Sequence, residues 1–253
     1  MTSVRRRYTK PPVVEALAEL YFEGATWSVT APGSFYGRVE NRFPKEQQQE
    51  QVAFEVSLGP GVANARMGSS GGRAVFKSED ETQLVQVGPD ALVVNQLQPY
   101  PHFEAWRDVL LEMLAIYREV ARPKAVSRLG MRYINRIEIE QVYLQMEELF
   151  RVYPEMPEEI GLAHGDFLIR LQLPAKVQGH TVLLTLGKAP VETPSIQAFV
   201  LDLYDVIPLG GTDSFDMVAQ HLNDAHENIE WIFEHTITDA TRAIFGEVID
   251  DLG

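Results

Sequence analysis

Three arginines that recur at every fourth position are the first candidate for a binding site in this sequence. Arg128, Arg132 and Arg136 fall in a segment in which apolar and polar side chains alternate. On a β-strand this spacing places the three side chains on one face, where they form a positive stripe. Guanidinium groups bind phosphates and carboxylates through paired hydrogen bonds. The stripe therefore predicts a site for an anion, such as a phosphate, a nucleotide or the carboxylates of a partner.

A competing interpretation assigns the same stripe to the fold. Glu15, Glu19 and Glu23 have an identical spacing of four in the first predicted strand. If the two strands are antiparallel neighbours, each glutamate faces one arginine, and opposite charges in such cross-strand pairs stabilise a sheet. The predicted pairs are Glu15–Arg136, Glu19–Arg132 and Glu23–Arg128. This internal ladder is the favoured interpretation, because three carboxylates at matching spacing are available.

Acidic residues are concentrated in the last fifth of the chain. Residues 200–253 contain twelve Asp and Glu but only one basic residue, Arg242, and the whole chain has a net charge of −14. The acids predicted to form a docking surface on the terminal helix are Asp224, Glu227, Glu230 and Glu234. Such a surface suits a basic protein or peptide. General nucleic-acid binding is not expected, because phosphate backbones would be repelled.

Signatures of metal binding and of covalent catalysis are missing. The chain has no cysteine, which excludes disulfides and thiolate metal sites. No two of the six histidines have the i, i+4 spacing of a helical zinc site. His226 and Glu230 are four apart, but a solvated helix face explains them better than a metal. The sequence also contains neither a G-x-S-x-G motif nor a P-loop motif. We therefore predict no catalytic residue, no metal and no cofactor.

The elements that would position these residues repeat once along the chain. Residues 11–123 and 124–253 each read as a strand, a helix, several strands and a long helix. The two halves are expected to pack as one α+β domain with a curved antiparallel sheet, covered on one face by helices as in saddle or helix-grip proteins. Residues 1–10 are basic and are expected to be a flexible arm.

Three segments carry most of this prediction. Apolar residues at helical spacing predict a helix over Phe103–Val120 and a second long helix from about Phe215 to Val248. Alternation of apolar and charged residues over Arg128–Glu140 predicts the clearest strand. A cavity between sheet and helices could be lined by Tyr100, Trp106, Tyr133 and Trp231, although such spacing is equally typical of a plain core.

Two stretches of the sequence together suggest a resemblance to a protein family. One is Lys-Pro-Pro-Val-Val-Glu-Ala-Leu-Ala-Glu-Leu at 10–20, and the other is Arg-Leu-Gly-Met-Arg-Tyr-Ile-Asn-Arg-Ile at 128–137. With the pattern Ala225-His226, Phe233-Glu234, Thr238-Asp239 and Arg242, the chain resembles a sporadically distributed family of bacterial proteins of similar length and uncharacterised function. The resemblance covers nearly the whole chain and implies no catalytic residues.

The function favoured by the sequence is that of a non-enzymatic binding protein. A factor in bacterial defence or stress response, antitoxin-like or accessory, would bind a basic partner through its acidic terminal helix. One alternative is a small-molecule binder with its pocket between sheet and helices, and a second is an uncharacterised enzyme. The expected location is cytoplasmic, the default for a chain without cysteines, and no membrane span is expected, since no apolar run reaches the roughly 18 residues that one needs. The expected assembly is a homodimer, although two duplicated halves already supply the pseudo-symmetry that a dimer provides.

Overall fold

The computed structural model describes residues 6–47, 53–59, 62–68, 73–140, 145–155, 157, 159, 166–193, 195–210 and 212–248. The strands are β1 (Arg7–Tyr8), β2 (Val13–Glu23), β3 (Lys45–Gln47), β4 (Ala53–Gly59), β5 (Val62–Gly68), β6 (Ala74–Lys77), β7 (Gln83–Val87), β8 (Ala91–Leu97), β9 (Ala125–Ile139), β10 (Leu168–Pro174), β11 (Thr181–Ala189), β12 (Gln197–Pro208) and β13 (Glu247–Val248). The α-helices are α1 (Ala31–Val39), α2 (Phe103–Ala121), α3 (Met146–Leu149), α4 (Val218–Thr236) and α5 (Asp239–Phe245), and Thr212–Phe215 forms a 3₁₀ turn.

A large open antiparallel sheet organises this α+β protein. Its nine strands follow the order β10-β11-β12-β9-β2-β8-β7-β6-β3. The first strands of the two predicted halves, β2 and β9, are antiparallel neighbours at its centre, which confirms that these strands meet. Outward from this pair, β8, β7 and β6 succeed one another on one side, and β12, β11 and β10 do so on the other.

The predicted cross-strand pairing is wrong by two residues. Glu19 lies opposite Gly130, Leu17 opposite Arg132, and Tyr21 opposite Arg128. The register shifts at two irregularities, between Val13 and Glu15 and between Tyr21 and Phe22. A shift of two keeps every side chain on its face, so the alternation survives although the individual ion pairs change.

Gly130 lies opposite Glu19 in the observed register, beside a close contact with a neighbouring strand. The ring of Tyr204, from the neighbouring strand β12, lies directly over it, and an added Cβ would sit 2.5 Å from the Tyr204 hydroxyl oxygen. Because glycine has no side chain, the Tyr204 hydroxyl reaches across β9 and donates a hydrogen bond to Glu19. The glycine in the central motif is therefore explained by close approach of a neighbouring ring.

The single long terminal helix is also a wrong prediction. It is interrupted between Thr236, the last residue of α4, and Asp239, the first of α5. Ile237 is extended and forms a β-bridge with Phe150, and the Thr238 hydroxyl caps α5. Successive β-branched residues weaken the helix here, and threonine is a favoured N-cap. The apolar spacing continues across the break, which explains why it indicated one helix.

Part of the predicted arm is attached to the C-terminal end of the fold. In β1, Arg7 pairs with Val248 and Tyr8 with Glu247 of β13. The next residues continue the attachment, since Thr9 N donates to Gly246 O at 3.0 Å. Residues 1–5 lie outside the described residues. The attached part brings Tyr8 against α4, where its hydroxyl donates to Glu234.

The two faces of the sheet differ in what they contact. Leu129, Met131 and Tyr133 of β9 are buried on one face, and α4 contacts this strand and β12 while α2 contacts β8. Arg128 and Arg132, at the alternate positions, are on the opposite face. In the described part of the chain, no helix has the length and apolar character needed to cross a membrane.

Candidate functional site

A cavity of about 540 Å³ lies between α2, α4 and the middle of β9. The first turn of α2 contributes Phe103 and Glu104, and β9 contributes Tyr133 and Asn135. The start of α2 is fixed by His102, whose Nδ1 accepts a hydrogen bond from the Ala105 backbone N–H at 3.2 Å. The volume falls within the range typical of pockets for drug-sized molecules.

One face of α4 forms the longest wall of this cavity. The residues that line it from this helix are His226, Ile229, Glu230, Phe233 and Glu234. Positions separated by three, four, seven and eight residues lie on the same side of a helix. The local sequence thus places an imidazole, two apolar side chains and two carboxylates in a row along the cavity.

The polar centre of the cavity is a hydrogen-bonded group of three rings. The Tyr133 hydroxyl lies 2.7 Å from that of Tyr100 and 3.3 Å from Nδ1 of His226. The imidazole of His226 stacks on Phe103, with ring centroids 4.0 Å apart and an angle of 8° between the planes. Burial, followed by the neighbouring Tyr100, raises the pKa of Tyr133 well above its ordinary value. Tyr133 therefore stays a neutral phenol that both donates and accepts hydrogen bonds.

Charged groups surround this neutral centre. Glu230 and Glu104 are close enough to Tyr133 to raise its pKa further. Glu234 is engaged within the fold, because Tyr8 Oη donates to it at 2.6 Å and Arg242 Nε at 2.7 Å. Glu104 and Glu230 also line the cavity and bring carboxylates to its wall.

Attachment of the N-terminal segment builds the opposite wall. Arg6, Arg7 and Tyr8 line the cavity together with Pro11 and Pro12. Burial and the hydrogen bond to Glu234 raise the pKa of Tyr8, so its phenol also stays neutral. The cavity thus depends on the pairing of β1 with β13, which positions this wall.

The composition of the lining determines what chemistry it supports. Among the described residues that line it, none is a serine, threonine or lysine. Aromatic rings, hydrogen-bonding groups, carboxylates and the guanidinium groups of Arg6 and Arg7 suit a flat ligand that carries polar or charged substituents.

The predicted anion stripe is engaged with groups of the protein itself. Arg132 donates to both carboxylate oxygens of Asp202, with distances of 2.7 and 2.6 Å. Arg136 donates to Glu138 at 2.7 Å and to the Pro190 carbonyl at 3.0 Å. A phosphate or other anion would have to compete with these partners. Asp202, which the sequence interpretation missed, alternates with Tyr204 along β12 and so shares its face.

Arg128 combines two kinds of contact. Its guanidinium lies 4.0 Å from the centroid of the Tyr21 ring and 3.4 Å from Glu19. Glu19 is therefore paired with an arginine of the stripe, although not with the predicted Arg132. Glu23, the third member of the predicted ladder, is exposed and lies opposite Ala125.

Glu15 is the most buried carboxylate of the predicted ladder. It is 6% exposed and accepts a hydrogen bond of 2.6 Å from Asn95 Nδ2. Asn95 in turn accepts from Gln86 Nε2 at 3.1 Å. Burial raises the pKa of Glu15, while the hydrogen bond from Asn95 and the charge of Arg132 act in the opposite direction.

The four acids predicted to bind a basic partner separate into two pairs. Glu230 and Glu234 line the cavity. Asp224 accepts a hydrogen bond from Gln220 at 2.8 Å, and Glu227 forms an ion pair with Lys176. The docking surface stays a prediction, and only its Asp224 and Glu227 members lie away from the cavity.

The four aromatic residues considered for a cavity also separate. Tyr100 and Tyr133 line it. Trp106 is buried and contacts Tyr133 edge-on, with ring centroids 6.0 Å apart, whereas Trp231 is 40% exposed. The sequence interpretation missed His226 as a cavity residue, although its spacing from Glu230 was the available signal.

Comparison with known proteins identified no relative that could assign a function to this cavity. No family model matches the chain, and no curated protein matches it either. The bacterial family suggested by the two sequence stretches therefore stays a prediction.

Proposed function

We propose that this protein binds a small organic molecule in the cavity between α2, α4 and β9. The observation that carries the proposal is the combination of an open volume of about 540 Å³ with the Tyr100–Tyr133–His226 group at its centre. Buried polar groups beside an open volume provide orientation for a ligand, while the surrounding rings provide contact area.

The ligand class follows from the walls. The stacked pair of Phe103 and His226 offers a flat surface, which suits a planar or aromatic body. The phenol of Tyr133 can donate to, or accept from, a polar group of the ligand. Glu104 and Glu230 favour a basic nitrogen on the side of α2 and α4, and Arg6 and Arg7 favour an acidic or accepting group on the opposite wall. A planar molecule with a basic or hydrogen-bonding substituent is the best match.

The test uses a substitution that fills the cavity with a larger side chain. In Ile229→Trp, an indole takes the place of a side chain on the α4 wall, and Ile244→Trp, at an exposed position on α5, is the matched control. Native mass spectrometry of purified wild type and variants detects a ligand retained from the expression host. A thermal-shift screen of planar amines and neutral aromatic compounds covers ligands lost during purification.

We expect wild type and Ile244→Trp to retain or bind the same compound and Ile229→Trp to lose it, with circular dichroism unchanged. If no compound binds the wild type, or if Ile229→Trp binds as well as wild type while folded, the cavity is not the site.

A protein partner on the outer side of α4 is a second candidate, and the exposed Trp231 favours it. Trp231 lies against His235, with ring centroids 4.7 Å apart and an angle of 39° between the planes, and is four residues from Glu227. An exposed tryptophan beside acids is a suitable anchor for a basic partner. An antitoxin-like or accessory factor would use such a surface. Co-purification that is lost in Trp231→Ala at low salt, but kept in Ile229→Trp, would separate this function from ligand binding.

The history of the fold is also a proposal. We infer a tandem duplication, because β2-β8-β7-β6 and β9-β12-β11-β10 have the same order in the sheet and each set ends in a long helix, α2 or α4. The helices would then cover equivalent parts of one face. This origin predicts that the cavity, which is built from β1, α2, α4 and β9, formed at the junction of the two copies.

A further inference from the structure

A second polar cluster lies outside the cavity, where α4 meets β11 and β12. His180 directly precedes β11, Asp205 belongs to β12, and α4 contributes His221, Asp224 and Asn228. None of these residues lines the cavity. No spacing in the sequence connects the histidines, but the fold brings His180 and His221 together from positions that are 41 residues apart.

His180 is fixed in one orientation by a buried carboxylate. Its Nδ1 lies 2.6 Å from Oδ1 of Asp205, and both side chains are fully buried. Because a carboxylate only accepts hydrogen bonds, Nδ1 carries the proton and Nε2 of the neutral ring presents a lone pair. Histidines that bind metals are commonly held by a carboxylate in this way, on the nitrogen that faces away from the metal.

Asp205 is itself held in place. Its second oxygen accepts a hydrogen bond of 2.8 Å from Asn228 Nδ2. The Asn228 side-chain oxygen accepts from the Val177 backbone N–H at 3.0 Å. A chain of oriented contacts thus runs from the backbone before β11 to the imidazole of His180. Such support keeps the ligand atom in place without metal, which reduces the conformational cost of binding.

The lone pair of His180 points toward two further donors. His180 Nε2 is 3.3 Å from His221 Nδ1, and His221 Nδ1 is 3.9 Å from Asp224 Oδ2. One ligand atom from each of the three residues lies within 4.8 Å of the others. With zinc–nitrogen bonds of about 2.0–2.1 Å, two ligands of a tetrahedral ion stand about 3.3 Å apart. The separation of the two imidazole nitrogens has this value.

We propose that His180, His221 and Asp224 bind a divalent transition-metal ion, with Asp205 and Asn228 orienting His180. Two imidazoles and a carboxylate favour Zn²⁺, Co²⁺ or Ni²⁺ over Mg²⁺ and Ca²⁺, which prefer oxygen ligands alone. The side chains of His221 and Asp224 are each 17% exposed. Solvent therefore reaches the ion, and a water or a small ligand completes its coordination.

The alternative use of these residues is a purely structural hydrogen bond. His221 would carry its proton on Nδ1 and donate a hydrogen bond to His180 Nε2. Asp224 would then be a neighbour of His221 without a metal to bind. The two uses differ in one respect that can be measured. A structural hydrogen bond makes the stability of the protein independent of metal, whereas a metal site makes it rise with metal concentration.

The experiment uses the full chain with any affinity tag removed and metal stripped by a chelator. Zn²⁺ is titrated calorimetrically at micromolar concentration, Co²⁺ is followed by its visible absorption, and Tm is recorded with and without each ion. The variants are His221→Ala and Asp224→Asn, and the matched control is His235→Ala, a more exposed histidine of the same helix.

We expect one ion per chain, a higher Tm with Zn²⁺ than with Mg²⁺, and a cobalt spectrum typical of four or five ligands. His221→Ala should abolish this binding, and Asp224→Asn should weaken it by more than tenfold, while His235→Ala matches wild type. Asp205→Asn, if folded by circular dichroism, should weaken binding by about 10–100-fold.

Two results would overturn the proposal. The wild type could show neither calorimetric binding nor a change in Tm with Zn²⁺ or Co²⁺, which leaves the structural hydrogen bond. Alternatively, binding could be equal in wild type and His221→Ala, which assigns the ion to another surface group. Neither result bears on the cavity, because the two sites share no residue.

Discussion

The face of the sheet that carries Arg132 (the charged face) and the part of the opposite face that borders the cavity (the cavity face) hold their polar groups differently. On one face, Arg132 is bound through two hydrogen bonds to Asp202, and Glu15 is bound to Asn95. On the other face, Tyr133, Tyr100 and His226 form a hydrogen-bonded group at the side of an open volume. Charge that is paired at short distance stabilises or orients the fold, whereas polar groups that line a cavity can contact a ligand. An anion at Arg132 would have to compete with its partner within the protein.

The largest expected effect tests the charged face. Arg132→Met leaves the carboxylates of Asp202 and Glu15 buried without their cation, and removal of one partner from such a pair costs about 3–5 kcal/mol. The free energy of unfolding from urea titration should fall by this amount. Arg136→Met, on the same face but with a partner, Glu138, that is 52% exposed, should cost about 1 kcal/mol or less.

If Arg132→Met lowers the free energy of unfolding no more than Arg136→Met does, the buried pairing of Arg132 does not stabilise the charged face as proposed. Ligand binding serves as the second measurement. Variants on the charged face that remain folded should bind the cavity ligand as wild type does, because Arg132 and Arg136 lie on the opposite side of the sheet.

The second effect tests the cavity face. Tyr133→Phe removes the hydroxyl that contacts Tyr100 and His226, and a hydrogen bond of this kind contributes about 0.5–1.5 kcal/mol to stability. Loss of a similar energy from the bound state corresponds to about two- to tenfold weaker ligand binding. Isothermal calorimetry with a compound from the thermal-shift screen measures the change.

Tyr204→Phe is the matched control for Tyr133→Phe. Its hydroxyl donates to Glu19 on the charged face, so stability should fall by a comparable amount while affinity stays at the wild-type value. Equal affinity in wild type and Tyr133→Phe would show that the hydroxyl does not contact the ligand.

How far the sequence predicts this structure depends on the range of the interactions involved. Alternation within Arg128–Glu140 and helical spacing within Phe103–Val120 are local, and β9 and α2 match them within a few residues at each end. The meeting of β2 and β9 also followed from the repeated order of elements. Their register did not, because two irregularities, between Val13 and Glu15 and between Tyr21 and Phe22, shift the pairing.

The candidate sites were harder to predict than the fold. On α4, Ile229 and Phe233 have the spacing of an ordinary core stripe, and only the neighbouring elements leave a volume in front of them. His180 and His221 come from elements that are far apart in the chain, so no spacing rule connects them. Asp202 had no visible relation to Arg132 until the order of β12 and β9 was known. Long-range placement, rather than residue type, separates the predicted residues from the missed ones.

The smallest expected effect concerns the pH dependence of the charged face. Burial raises the pKa of Glu15, and Asn95 and Arg132 only partly oppose it. A carboxyl whose pKa is higher in the folded than in the unfolded chain stabilises the fold below its ordinary value of 4.5, and this contribution is lost as the pH rises through the folded pKa. Glu15→Gln stays neutral and keeps an oxygen that accepts from Asn95, so it avoids that loss.

The difference in unfolding free energy between Glu15→Gln and wild type should therefore be smallest below pH 4.5, become more favourable to the variant as pH rises, and then level off. Urea titrations at several pH values measure it, with the exposed Glu23→Gln as the control for net charge. If Glu15→Gln is less stable than wild type at every pH, the attraction of Arg132 for Glu15 exceeds the cost of burying its charge. The charged face would then contribute net stability to the fold. It would differ from the cavity face in its energetic role as well as in its position.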